Sequence, residues 1–78
     1  QSKKAFFKVD KKVKIKDNDL NSLKIISNDG EILGILYEKN KLKINEIIGF
    51  ISNQNIKILD ISTDDGDLED VFVNLTKN

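Results

Sequence analysis

The sequence predicts an α+β domain, a mostly antiparallel sheet with helices on one face, and three patterns within its 78 residues carry that expectation. Near the N-terminus apolar side chains alternate as Phe7, Val9, Val13 and Ile15, with lysines and Asp10 between them, the period of a half-buried strand. Two β-branched runs, Leu23 to Ile26 and Ile32 to Tyr37, flank Asn28-Asp29-Gly30. Asp-Gly there supplies the positive φ values of a tight hairpin turn. Two further stretches, Ile44 to Ile51 and Leu68 to Leu75, place apolar residues at i, i+3, i+4 and i+7, which is one face of a helix.

Taken in order, the alternating segment reads as one strand, or as two bent near Asp10. Lys16 to Ser22 is polar, with Leu20 its single apolar residue, so it reads as a loop or one helical turn. The hairpin follows. Ile44, Ile47, Ile48 and Ile51 then predict a helix over about Lys43 to Asn53, ending in Asn53-Gln54-Asn55, where Asn tolerates the left-handed cap conformation. Ile56, Ile58, Leu59 and Ile61 predict a strand, and apolar residues of both parities mark it as an inner strand or a bulged one. Leu68, Val71, Phe72 and Leu75 predict a last helix, with Asp67 as N-cap and Glu69 and Asp70 in the dipole-favoured first turn. With a helical turn in the first crossover the order is that of a ferredoxin-like sandwich plus a C-terminal helix. Without one it is a truncated version, a smaller α+β sheet.

Composition narrows the chemistry. The chain has 13 cationic and 13 acidic residues, every cation a lysine, and no Cys, His, Trp, Met, Pro or Arg. Disulfides, thiolate and Ser-His-Asp catalysis and the usual zinc sites are excluded by inventory. The size allows one modest core and therefore one domain, residues 1–78. Starting at Gln1 without a Met, it reads as a domain excised from a longer protein, and no apolar run reaches the roughly 20 residues that cross a bilayer. Charge is uneven. Lys3, Lys4, Lys8, Lys11, Lys12, Lys14 and Lys16 crowd the first strand, while Asp60, Asp64, Asp65, Asp67, Glu69 and Asp70 crowd the C-terminal end against Lys77 alone.

Leu68-Glu69-Asp70-Val71-Phe72-Val73-Asn74-Leu75-Thr76 resembles the Leu-Glu-Asp-Val-Phe ending of the C-terminal accessory domain of ABC transporter ATP-binding subunits, of the drug, antibiotic and lipid exporter class. The resemblance extends over about Leu23 to Asn78, since the family's motif also follows a helix and a β-branched strand. The family has Pro-Ser before the Leu and this chain has Gly66-Asp67, where Asp serves equally as an N-cap acceptor. The resemblance implies a non-catalytic assembly or regulatory domain at the cytoplasmic side of the cell membrane. Its implied partners are the ATPase domain of the same chain, a second ATP-binding subunit and the transporter's membrane subunit, with a homodimer left open. ATP and magnesium would belong to the ATPase domain. This chain has no G-x-x-x-x-G-K-[ST] run and is expected to bind no cofactor or metal and to catalyse nothing itself. The motif role falls on Leu68, Glu69, Asp70, Val71, Phe72 and Leu75 as interface residues.

Each signal also has a plainer explanation. Leu68, Val71, Phe72 and Leu75 suit packing of the last helix on the domain's own sheet, leaving Glu69 and Asp70 off the stripe and accessible. The acidic cluster invites a calcium reading, but counting back from Gly66 puts Ile61 and Thr63 at ligand positions. The lysines favour a solvated face. Their rival role is RNA binding on an open sheet, with Phe6 sharing parity with Lys4, Lys8, Lys12 and Lys14, although net charge is zero and nucleic acid is not the expected partner. An effector-binding regulatory module is the third class, with no residue pointing to a ligand.

Overall fold

Five elements follow from these local preferences: β1 (Ser2–Val9), β2 (Leu23–Asn28), β3 (Ile32–Glu38), α1 (Ile44–Ser52) and β4 (Ile58–Thr63). The structure is a computed structural model and describes residues 2–63. The expected last helix, with Leu68, Glu69, Asp70, Val71, Phe72 and Leu75, lies outside the described residues. The strands form a four-stranded sheet in the order β2-β3-β1-β4, and every neighbouring pair is antiparallel.

β1 starts at Ser2, five residues before the alternation in the sequence becomes visible, because pairing with β3 from Ser2↔Glu38 onward recruits the lysine-rich stretch. Its pleat sends Ala5, Phe7 and Val9 into the core and Lys4, Phe6 and Lys8 to the other face. The strand ends at Val9. Asp10 continues the link to the β4 side through its own backbone N–H, which donates to the Lys57 carbonyl at 3.3 Å, and its carboxylate, which accepts from the Lys57 N–H at 3.0 Å.

The hairpin forms as expected, with Leu23↔Tyr37 and Ile25↔Ile35 in register, but its turn differs in detail. Positive φ falls on Gly30 alone, at +94°. Asp29 instead closes the turn with its carboxylate, whose Oδ1 accepts from Glu31 N–H at 2.9 Å and Ile32 N–H at 2.8 Å. The two bonds hold the Asp29 carboxyl below its ordinary pKa, Ile32 being the larger cause and Glu31 the next.

α1 matches the predicted helix to within one residue at each end, burying Ile47 and Ile51 against the sheet. Lys43 at its N-cap makes no side-chain cap bond, and the C-terminal turn closes with Asn55 at φ +61°, the conformation that Asn tolerates. β4 pairs with β1 alone among the described residues, so the inner-strand alternative does not hold. The bulge alternative does: the register slips between Lys8 and Val9, and Leu59 is the extra residue, 57% exposed.

The first crossover, residues 10–22, contains no helix. Val13 and Ile15 are nonetheless buried, continuing the alternation seen in the sequence without strand pairing. They join Phe7, Leu33, Ile35, Tyr37, Ile47 and Ile51 in one core, so this extended strap shares a core with α1.

Candidate functional site

Thirteen cations are too many for one surface, and the strand's end at Val9 divides those near the N-terminus into two sets. The sequence pattern grouped Phe6 with Lys4, Lys8, Lys12 and Lys14 by parity. The structure separates them: Lys4, Phe6 and Lys8 lie on the sheet face opposite α1, and Lys12 and Lys14 belong to the strap on the core side. Parity carries across a segment only while it remains one paired strand, and here pairing stops at Val9.

The strap is fixed by side-chain amides that act as strand neighbours. Asn28, at the end of β2, accepts from Val13 N–H at 3.2 Å and donates to the Val13 carbonyl at 2.7 Å. Gln54, just past α1, does the same for Lys14, accepting its N–H and donating to its carbonyl, both at 2.8 Å. Asp19 accepts from Lys16 N–H at 2.8 Å, and Asp17 accepts from Ile25 N–H on the outer edge of β2 at 2.8 Å. Extended backbone so held turns alternate side chains to opposite sides. Val13 and Ile15 go inward, while Lys11, Lys12, Lys14 and Lys16 are exposed and carry no ion pair among the described residues. The result is a basic band along a groove of ≈ 640 Å³ that Asp19 also lines. Its chemistry is electrostatic, suited to an anionic surface.

The second set sits on the open sheet face. Phe6 lies across from Gly34 on one side and Ser62 on the other, and Lys8 across from Ile32 and Asp60. A Cβ on Gly34 would stand 2.7 Å from Ser27 Oγ and 2.9 Å from the Phe6 ring, so a side chain there would make those groups shift. Phe6, Ile26, Ile32, Leu36 and Leu59 stay outside the core cluster, and Ile26, at the β2 bulge, is 48% exposed. This mixed face, where Phe6, Ile32 and Leu36 lie among Lys4, Lys8, Lys24, Ser27, Asp60 and Ser62, was not legible in the sequence. Its members sit on four strands and meet only through the register.

Of the acidic cluster, Asp60 alone falls among the described residues, opposite Lys8 on β4. Among the described residues no group of three acids converges and no helix is long and apolar enough to cross a membrane. No family model, curated protein or solved structure matches this chain.

Proposed function

We propose that this chain is the non-catalytic C-terminal domain of an ABC transporter ATP-binding protein, which helps pair the ATPase subunits or couple them to the membrane subunit of an exporter. The observation that carries this reading is Leu68-Glu69-Asp70-Val71-Phe72 followed by Leu75-Thr76, placed directly after a hairpin, a helix and a β-strand. The strand order β2-β3-β1-β4 favours the finer fold expectation too, a ferredoxin-like sandwich truncated by replacement of its first helix with the lysine strap. In this reading Leu68, Val71, Phe72 and Leu75 hold the terminal helix on the domain. Glu69 and Asp70 meet the neighbouring subunit, and ATP and magnesium belong to the ATPase domain of the same protein.

RNA binding on the open sheet has weaker support. Phe6 is the one aromatic residue on that face among the described residues, and single-strand recognition draws on stacking at several positions.

Two experiments test the proposal. Reading the coding region upstream of Gln1 should reveal a Walker A run, an ABC signature and a Walker B acid, and their absence would remove the transporter reading. In the full-length protein, Glu69→Lys with Asp70→Lys should leave the fold intact and weaken subunit assembly or transport-coupled ATP turnover. Wild-type assembly and turnover in that variant would eliminate the interface role.

A further inference from the structure

We propose that Asp17 seals the outer edge of β2, closing it to a second copy of this chain that would otherwise pair with it strand to strand about Ile25. The inference is independent of what the parent protein does.

β2 stands at one end of the strand order and pairs with β3 alone among the described residues. The Ser22 carbonyl accepts from Glu38 N–H at 3.2 Å, which sets the phase of the strand that follows. Ser22 and Lys24 turn their backbone groups toward β3, so Leu23 and Ile25 turn theirs outward. Outward N–H and carbonyl groups of this kind are what a further strand pairs with. The bulge between Ile25 and Ser27 then breaks the phase, which leaves Ile25 as the last regular outward amide.

That amide is taken. Asp17 Oδ1 accepts from Ile25 N–H at 2.8 Å. The carboxylate is carried by a closed turn, in which Lys16 N–H donates to Asp19 Oδ2 at 2.8 Å and Asp19 N–H to the Lys16 carbonyl at 3.0 Å. Ser22, at φ +61°, turns the chain into β2, so residues 17–21 return beside the edge that they precede. The seal acts in two ways. It occupies the Ile25 N–H, and an ionised carboxylate only accepts, so it cannot bond the carbonyl that an incoming strand brings to the same place.

The edge suits its own copy. In a symmetric antiparallel pairing, Ile25 faces Ile25 of the second copy and the two exchange both N–H and carbonyl. Lys24 then faces Ile26 of the second copy, so no like charges meet. The β-branched pair Ile25-Ile26 favours that extended pairing.

The test uses the complete 78-residue chain, comparing Asp17→Ala with wild type by light scattering over a dilution series and by hydrogen exchange at the Ile25 amide. Wild type should keep one mass throughout, and Asp17→Ala should rise with concentration toward twice that mass. When dilute, the variant's Ile25 amide should exchange about tenfold faster than in wild type, the effect of losing one exposed bond, and it should slow as the protein is concentrated. Adding Ile26→Lys sets like charges across the pair and should restore the wild-type mass. Ile26 is 48% exposed, so this replacement leaves the core alone. Far-UV circular dichroism checks the fold. Should Asp17→Ala unfold, Asp17→Ser decides by the same readings, since its hydroxyl stops one atom short of the lost oxygen. A folded variant with the wild-type mass at every concentration would overturn the proposal. So would association that leaves the Ile25 amide fast or survives Ile26→Lys, which places the contact elsewhere. A wild type whose own Ile25 amide slows with concentration would overturn it too, because its edge would then be open.

Discussion

Removing Asn28 tests whether side-chain clamps hold the strap onto the core. Asn28→Ala deletes both bonds to Val13, at 3.2 and 2.7 Å, and adds no bulk. Val13 is 2% exposed, so water reaches its freed N–H and carbonyl poorly. A buried polar group left without a partner costs about 1 to 3 kcal/mol, and partial relaxation of the strap lowers the sum for the pair to about 2 to 3 kcal/mol. Gln54→Ala deletes two bonds of equal geometry to Lys14, but at an exposed site where water replaces them. Its cost is therefore about 0.5 to 1 kcal/mol. At roughly 4 to 8 °C per kcal/mol for a domain this size, Asn28→Ala lowers Tm by about 10 to 20 °C and Gln54→Ala by less than half of that. Urea denaturation of the two single variants and the double variant reads all three values. The double variant should lose less than the sum, because the strap detaches as one piece once either clamp has gone. Asn28→Asp adds a chemical control: it keeps the acceptor for Val13 N–H but sets a carboxylate oxygen against the Val13 carbonyl, and should be no more stable than Asn28→Ala at neutral pH. The reasoning fails if Asn28→Ala stays within about 0.5 kcal/mol of wild type, or if Gln54→Ala proves the costlier change.

Two further predictions concern single turns. Ser22 holds φ at +61°, where its Cβ is strained, so Ser22→Gly should raise stability by about 0.5 kcal/mol. Asn55→Gly, at the same φ, should change it little because Asn tolerates that region, and equal gains at the two sites in urea melts would contradict the strain argument. Asp29 has a folded pKa below its ordinary 3.8, so its stabilising contribution is complete above that value and disappears as pH falls through the folded one. The amide introduced by Asp29→Asn keeps an acceptor oxygen for the turn and cannot titrate. The stability difference between wild type and that variant should therefore be constant above about pH 5 and change on acidification toward about pH 2, and a flat difference over that range would refute the carboxylate's role.

The elements legible in the sequence were those whose signal is local. The Ile44, Ile47, Ile48, Ile51 stripe located α1 to within a residue at each end, because helical periodicity and burial on one side coincide within nine residues. The Asn28-Asp29-Gly30 turn located the hairpin, because one residue must take a positive φ and Gly30 takes it. Inventory alone removed thiol, histidine and disulfide chemistry. The resemblance at Leu68 to Thr76 suggested a functional context, on residues whose placement lies outside the described range.

Other features depended on partners distant in sequence. Val13 and Ile15 look like a continuing strand, and only the clamps from Asn28, fifteen residues away, and Gln54, forty residues away, make them a strap. Parity groups Phe6 correctly with Lys4 and Lys8 but wrongly with Lys12 and Lys14, because alternation records which side of the chain a residue occupies without recording where the chain leaves the sheet. The open face required the pairing of β1 and β3 to bring Phe6, Ile32 and Leu36 to one surface. Periodicity encodes which side of an element is apolar. What each apolar side meets is decided by tertiary pairing, whose contacts join residues that no local window contains.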